Sequence, residues 1–323
     1  MQPSLLSLPI DDVLAEICAG LRDHARLVLA APPGAGKTTR VPLALAGLLG
    51  EAPIIEGKII MLEPRRIAAR MAAQQMANSL GEKLGQSVGL TTRVDRKVSA
   101  ATRVEVITDG LFTRRILSDP ELAGVGAVIF DEFHERRLNS DLGLTLAMEA
   151  QGALRDDLRI LIMSATLDTE KVSSVLGAPV VESQGRQYPV ESKYLGRSQD
   201  RIEDRMAAAV RKALREEEGS ILAFLPGARE IQRTAEQLET VPDKVRVAPL
   251  FGALSPAEQD AAVSPAPEGM RKIVLATDIA ESALTIEGVR IVIDSGLSRV
   301  AEEAAGGLGT RLSTVKASRA SVD

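Results

Sequence analysis

Residues 27–38 read Leu-Val-Leu-Ala-Ala-Pro-Pro-Gly-Ala-Gly-Lys-Thr, which is an apolar run followed by a Gly-rich turn and a Lys-Thr pair. This order predicts a buried strand, a phosphate-binding loop and the first turn of a helix. The glycines allow backbone N–H groups to curl around a phosphate, the lysine adds positive charge, and the Thr38 hydroxyl is a ligand for Mg²⁺. The alternative is a turn that binds nothing, which the Gly-Lys-Thr triplet in this context disfavours. The residues expected to bind the triphosphate are Gly34, Ala35, Gly36, Lys37, Thr38 and Thr39.

Apolar runs alternate with helical patterns along the rest of the chain. Most runs are continuously apolar, as in strands that are covered on both faces of a parallel sheet. This rhythm predicts an α/β, doubly wound fold. The predicted strands are Leu27–Ala31, Lys58–Leu62, Val104–Ile107, Ala127–Phe130, Arg159–Met163, Ile221–Leu225, Val245–Leu250, Lys272–Ala276 and Val289–Asp294.

The strand and helix rhythm restarts near residue 190, after a stretch rich in Gly, Ser, Gln and Arg that contains Pro189. We therefore expect two tandem α/β lobes, residues 1–187 and 188–323. The stretch from Ala301 to Asp323 is small, polar and Gly-rich, and no regular element is expected there.

Composition limits the class of protein. The 323 residues are 45% hydrophobic and 26% charged, as in globular proteins, and the net charge of −5 excludes a globally basic nucleic-acid binder but not a local basic track. The single cysteine, Cys18, excludes an internal disulfide and is expected to be a small buried hydrophobe on an apolar helical stripe. No basic leader and no apolar run of about 18 residues is present, so we expect a cytoplasmic protein without a membrane segment.

An acidic pair, Asp131-Glu132, ends the apolar run Ala127–Phe130. Ligands of α/β sheets bind at the carboxyl ends of the strands, where these side chains are expected to lie. One acid can hold Mg²⁺ through water, and the second can orient and deprotonate an attacking water. The pair alone is a weak signal, since it could be a solvated turn, but with the upstream phosphate loop it is a strong one.

These residues, with others in a fixed order, resemble the motifs of DEAH-box RNA helicases of superfamily 2, closest to the bacterial HrpB-type members. Residues 131–136, Asp-Glu-Phe-His-Glu-Arg, resemble the DEAH box with Phe in place of Ala. The further segments that resemble helicase motifs are Glu63–Ala69 (motif Ia), Thr108–Gly110 (Ib), Ser164–Thr166 (III), Phe224–Ile231 (IV) and Ala276–Ile286 (V). The resemblance implies two tandem RecA-like lobes with mostly parallel sheets.

The resemblance also implies roles for single residues. Asp131 would hold Mg²⁺ through water, Glu132 would position the hydrolytic water, and His134 would couple the nucleotide to the second lobe. Ser164 and Thr166 would link hydrolysis to lobe movement; otherwise they are the polar end of a strand, and His134 is an interface histidine. The residues implied to contact the nucleic-acid backbone are Arg65, Arg66, Thr108, Gly110, Gly227, Thr277, Ser282 and Thr285.

The position of Arg65 and Arg66 at a helix start independently favours a bound polyanion. Cations at the start of a helix oppose its dipole, and a bound polyanion would relieve that conflict. The alternative is a solvated helix end. Backbone contacts give affinity without sequence specificity, and no reader of the 2′-hydroxyl is identifiable, so single-stranded RNA is expected while single-stranded DNA is not excluded.

The chain departs from the family pattern at several places. Ala31 replaces the first Gly of the phosphate loop, and Asp278 stands where Asn is common. Gln75 stands where many relatives carry an Arg that stacks on the nucleotide base, and the facing position near Val263 is not aromatic, so ATP and other NTPs are expected to be used alike. Motif VI, with its arginine finger worth about 10³–10⁵ in rate, is not found before Asp323, so we expect a second lobe truncated at its C-terminus.

Three functions are therefore compared. The first is a monomeric, NTP-driven RNA helicase motor that uses ATP and Mg²⁺. The second is a catalytically weak fragment that binds nucleotide and RNA but lacks an arginine finger. The third is a P-loop ATPase acting on something other than nucleic acid, which the Arg65-Arg66 pair and the motif V residues disfavour.

Overall fold

The computed structural model describes residues 7–165, 170–185, 189–196, 198–280, 286–303 and 310–317. The chain divides into two compact units, Met1–Pro189 and Val190–Asp323. The expectation of an α/β fold with mostly parallel sheets is confirmed in each unit. The helices within the described ranges are all too short or too polar to cross a lipid bilayer.

The first unit is built around one large twisted sheet. Within the described residues its eight strands lie in the order β4-β3-β5-β2-β6-β7-β1-β8, and every pair is parallel except β3 with β4. The strands are β1 Arg26–Ala30, β2 Lys58–Glu63, β3 Val88–Thr91, β4 Arg96–Lys97, β5 Val104–Thr108, β6 Val125–Phe130, β7 Arg159–Ser164 and β8 Val180–Glu182. The helices are α1 Leu14–Asp23, α2 Lys37–Leu45, α3 Arg66–Ser79, α4 Asp109–Ser118, α5 Leu138–Ala153 and α6 Glu170–Leu176.

Both faces of this sheet are buried, which explains the continuously apolar strands. In β1, Leu27 and Leu29 join the core on one face while Val28 joins the core on the other. Alternate side chains of a strand point to opposite faces, so a strand covered on both sides must be apolar throughout. Cys18 lies in the first of these cores, as expected for a buried hydrophobe.

The second unit has a smaller parallel sheet and a separate hairpin. The strands of the sheet lie in the order β10-β11-β9-β12. They are β9 Ser220–Phe224, β10 Val245–Leu250, β11 Arg271–Ala276 and β12 Val289–Asp294, and the helices are α7 Ile202–Glu216, α8 Ala228–Gln237 and α9 Pro256–Val263. Helix α9 begins with a capping box, in which Ser255 N donates to Glu258 Oε2 at 2.8 Å and Glu258 N to Ser255 Oγ at 3.4 Å.

The expectation of no regular element after Ala301 was wrong. Strands β13 Leu297–Glu303 and β14 Thr310–Lys316 pair antiparallel over seven residues each. A two-stranded ladder is stabilised by pairs of residues across the strands, which the composition of either strand alone does not reveal.

Candidate functional site

The phosphate-binding loop joins β1 to α2 at the carboxyl edge of the eight-stranded sheet. Gly34 and Gly36 have φ angles of 76° and 95°, a region that other residues enter only with strain. A Cβ atom on Gly34 would meet nothing within 4 Å, so this side of the loop has room for a ligand. Ala35 is buried and accepts a hydrogen bond from Ile10 N at 3.0 Å, while the Thr39 hydroxyl donates to Gly36 O at 3.4 Å. The loop therefore combines open glycine backbone with a helix N-terminus, which favours an anion.

Lys37 is the buried cation of this loop. Its Nζ lies 3.0 Å from Glu132 Oε1, and the two side chains are only 4% and 7% exposed. Burial opposes the charge, but the carboxylates of Asp131 and Glu132 outweigh it and raise the pKa of Lys37. A phosphate that binds Lys37 must therefore compete with Glu132.

Asp131 directly follows β6 and lies beside Thr38. The Thr38 hydroxyl donates to Asp131 Oδ2 at 2.6 Å, and Glu132 N donates to Asp131 Oδ1 at 2.8 Å. A hydroxyl and a carboxylate in contact form the hard oxygen pair that Mg²⁺ prefers. The residues present therefore fit this ion.

Glu132 is a buried acid in a strained backbone position. Its φ is 49°, in the left-handed region. Burial and the charge of Asp131 raise the pKa of Glu132 to about 7, although Lys37 opposes the shift. A carboxyl with this pKa can exchange a proton near neutral pH, as a general base requires.

His134 contacts both Glu132 and the segment after β7. Its Nδ1 accepts a hydrogen bond from Ala165 N at 3.2 Å and lies 3.3 Å from Glu132 Oε2. Burial and the Lys37 charge lower the pKa of His134, so the neutral ring is favoured. Because Nδ1 accepts a hydrogen bond from Ala165 N, Nδ1 carries no proton. It can therefore bond to Glu132 only as an acceptor, which requires that Glu132 carry a proton.

Ser164 places the end of β7 against the phosphate loop. Its carbonyl oxygen accepts from Ala31 N at 3.0 Å, and the next residue donates to His134. Residues 164–165 therefore touch both the phosphate loop and the acidic turn. Thr166 lies outside the described residues.

Glu63, the first residue of the motif Ia segment, is an acid of this site to which the sequence motifs assign no role. It ends β2 with no exposed surface, and neither carboxyl oxygen accepts a hydrogen bond from a described residue. Burial, followed by the charges of Asp131 and Glu132, raises the pKa of Glu63 well above its ordinary value. The signal was available, because Glu63 ends an apolar strand as Asp131 follows one.

The residues expected to contact nucleic acid in the first unit gather at the same sheet edge. Arg65 precedes α3 and the exposed Arg66 begins it, while Thr108 ends β5 and Gly110 lies in the first turn of α4. In the register of β2 and β5, Glu63 is paired with Thr108, so these two strand ends are neighbours.

In the second unit, Gly227 and Thr277 follow adjacent strands of the smaller sheet. Gly227 precedes α8, and a side chain there would collide with the guanidinium of Arg299. Thr277 follows β11; its N donates to Leu250 O at 3.3 Å, and its hydroxyl accepts from Ile279 N at 3.5 Å. Ser282 and Thr285 lie outside the described residues.

Comparisons with known proteins agree with this arrangement. The profile of the DEAD/DEAH box helicase family matches residues 12–175, and that of the helicase conserved C-terminal domain matches residues 205–305. The chain is 51% identical to the ATP-dependent RNA helicase HrpB of Escherichia coli (strain K12) over 320 residues, which are 98% of this chain and 39% of that protein. It is 36% identical to the ATP-dependent RNA helicase HrpA of the same strain over 302 residues, which are 91% of the chain and 23% of that protein.

A crystal structure of the Escherichia coli DEAH/RHA helicase HrpB superposes with a TM-score of 0.90 at 50% identity, covering 98% of this chain and 40% of that one. The chain thus spans about two fifths, or less, of the length of the curated relatives it matches. The first profile covers 164 of the 323 residues, including the phosphate loop, the acidic pair and the strands that position them. The chain therefore belongs to the DEAD/DEAH box helicase family.

Proposed function

We propose that this chain is the motor of an ATP-dependent RNA helicase, which hydrolyses NTP to move along or remodel single-stranded RNA. The observation that carries the proposal is the pairing of Lys37 with Glu132 and of Thr38 with Asp131 at one sheet edge. The similarity to proteins named ATP-dependent RNA helicases supports the same reaction. Residues 1–187 and 188–323 are proposed as the ATP-binding and C-terminal helicase domains.

The charges of the site suggest an order of events. An incoming triphosphate takes Lys37 from Glu132, which leaves the Glu132 carboxylate available to a water. Glu132 then orients that water and accepts its proton, and the protonated carboxyl can donate to Nδ1 of neutral His134. Thr38 and, through water, Asp131 would hold Mg²⁺, which neutralises charge on the phosphates when bound.

The proposed RNA contacts read the backbone, not the bases. The arginines Arg65 and Arg66 are suited to phosphates, and Thr108 with Gly110 lies beside them at the ends of neighbouring strands. Gly227, Thr277, Ser282 and Thr285 are proposed for the second unit. This set predicts binding with little sequence preference.

Phosphate release with ATP and Mg²⁺ tests the proposal when it is measured alone, with single-stranded RNA and with single-stranded DNA of the same sequence. RNA is expected to raise the rate several-fold or more. Equal stimulation by DNA would make the chain a general nucleic-acid motor. No response to either polymer would contradict the proposal.

The same assay with GTP tests the proposed use of several NTPs. Gln75 is exposed on α3 and offers no guanidinium to stack on a base. We expect ATP and GTP to be hydrolysed at rates within a few-fold of each other, and strict preference for ATP would be the contrary result. The proposal includes action in the cytoplasm as a monomer, and sedimentation velocity tests the monomer.

A further inference from the structure

Glu135, three residues after Glu132, is shared by two arginines from different segments. Its Oε2 lies 3.0 Å from Arg137 Nε and 3.7 Å from Arg65 Nη2. The carboxylate is 14% exposed and Arg65 18%, so solvent screens their interaction less than that of a surface pair. Arg137 also donates from Nη1 to Pro64 O at 2.9 Å. Arg137 thus holds both the acidic turn and the segment that begins α3.

The turn from Glu132 to Arg136 is suited to transmit a change at Glu135. Both of its end residues have a φ of 49°, which non-glycine residues adopt only when the surroundings hold them there. Between them, Glu135 N donates to Glu132 O at 3.0 Å and Arg136 N to Phe133 O at 3.1 Å. Phe133 is buried and packs edge-on against Phe130, with ring centroids 6.3 Å apart. One short hydrogen-bonded turn therefore joins the carboxyl at Lys37 to the carboxyl between the arginines.

A phosphodiester bound to Arg65 competes with Glu135 for the same guanidinium. The 3.7 Å contact is the longer of the two that Glu135 makes, so it is the one expected to be given up. Arg137 then remains as the partner that keeps the half-buried carboxylate neutralised beside the phosphate. Without Arg137, the phosphate and the Glu135 carboxylate would repel each other. The turn would also lose its link to Pro64 O through Arg137.

We propose that Arg137 is a positioning residue that couples RNA binding at Arg65 to the water-positioning Glu132, through Glu135 and the turn 132–136. The inference rests on the proposed function, because it assumes that RNA stimulates hydrolysis. It places this coupling within the first unit. Thermodynamic linkage makes this coupling reciprocal. If bound RNA favours the conformation of the turn that binds nucleotide, bound nucleotide must strengthen RNA binding by the same factor.

The test measures this coupling by fluorescence anisotropy of a labelled polyuridylate oligonucleotide, with and without a non-hydrolysable ATP analogue and Mg²⁺. In the unsubstituted chain the two RNA dissociation constants should differ about 5-fold or more, the lower end of common allosteric coupling. In Arg137→Gln their ratio should fall to near one, and RNA should lose most of its stimulation of phosphate release. Glu135→Gln, which removes the shared carboxylate, should uncouple in the same way.

Arg22→Gln is the matched control. It removes the same charge from an exposed position in the last turn of α1, outside the turn 132–136, and should keep the coupling ratio. Arg137→Lys keeps the charge but cannot reach Glu135 and Pro64 O with one planar fork, so it should uncouple as well. Thermal unfolding of each variant identifies any that fails to fold.

Two results would overturn the inference. Arg137→Gln or Arg137→Lys could keep the full ratio, as they would if Arg137 were a plain phosphate contact whose loss weakens RNA binding equally with and without nucleotide. The control could also uncouple, which would make the effect one of general charge. If the unsubstituted chain shows no RNA-stimulated phosphate release, the proposed function fails first; if that stimulation is present, only the coupling role of Arg137 is lost.

Discussion

Glu63 and Glu105 are buried glutamates on neighbouring strands of one sheet, but their surroundings are opposite. Glu105, in β5, accepts hydrogen bonds from Thr91 at 2.7 Å, Lys58 at 3.0 Å and Arg115 at 3.2 Å. Burial opposes its charge, yet these partners lower the pKa of Glu105. Glu63, in β2, accepts no such bond among the described residues, and its pKa is raised.

The contrast distinguishes a carboxylate that stabilises the fold, Glu105, from one that is available to a ligand, Glu63. A buried acid that accepts no hydrogen bond from a described residue is costly, and such groups persist where a function requires them. Glu63, Asp131 and Glu132 gather around a single ammonium, Lys37. This excess of acid suits a site that receives a cation with its nucleotide. The satisfied Glu105 lies elsewhere in the sheet and needs nothing more.

Among the acids of the nucleotide site, Glu132 is expected to give the largest loss of hydrolysis when it is replaced by glutamine. Glutamine keeps the size of the side chain but cannot accept a proton from water. The rate of RNA-stimulated phosphate release should fall by about 10²–10⁴, the usual worth of general base catalysis. Binding of a fluorescent ADP analogue should remain within several-fold of the unsubstituted chain. A hydrolysis rate within about twofold of that chain would contradict the role of Glu132.

Glu105→Gln should instead damage stability. It leaves Lys58 and Arg115 without their carboxylate, which should lower the unfolding free energy by about 2 kcal/mol and Tm by roughly 4–8 °C. Because the pKa of Glu105 is lowered in the folded state, its contribution is present above the ordinary glutamate pKa and disappears as pH falls through the lowered value. The difference in Tm between the unsubstituted chain and Glu105→Gln should therefore be largest at pH 7 and should disappear at acidic pH. An equal difference at every pH would show that the charge contributes nothing.

Glu63→Gln should change the stability in the opposite direction to Glu105→Gln and by a smaller amount. Because the pKa of Glu63 is raised by folding, its contribution is complete below the ordinary glutamate pKa and falls as pH rises, by at most about 1.4 kcal/mol per pH unit. Glutamine has no proton to lose and escapes this cost. In buffer free of nucleotide and divalent metal, Glu63→Gln should raise Tm at pH 8 by about 2–4 °C, with the gain shrinking toward pH 5. A lower Tm at pH 8 would show instead that the ionised Glu63 stabilises the fold.

Sequence patterns were sufficient for the parts of the fold that depend on one segment at a time. The strands predicted from apolar runs are present within two residues of their expected ends. In the inner strands, such as β1, β2, β7 and β11, burial on both sheet faces requires such runs. Strands β3, β4 and β8 were missed, since four, two and three residues carry too little pattern. The β13–β14 hairpin was missed because its pairing crosses a Gly-rich segment.

The same limit applies to the site. The order of motifs identified Lys37 and Glu132, but no pattern in the chain says that they lie 3.0 Å apart. Glu63 and Arg137 were given no role, because each acquires its meaning from residues distant in sequence: Asp131 for Glu63 and Pro64 for Arg137. Such roles depend on how strand ends meet at the sheet edge.

Phosphate release and thermal unfolding, measured together in Glu132→Gln and Glu105→Gln, distinguish the two kinds of buried acid. We expect Glu132→Gln to lose hydrolysis by at least about 10²-fold with little loss of Tm, and Glu105→Gln to lose Tm while hydrolysing normally well below its Tm. If Glu105→Gln loses hydrolysis as deeply as Glu132→Gln, or if Glu132→Gln hydrolyses normally, the division between acids that stabilise the fold and acids that take part in the reaction is wrong.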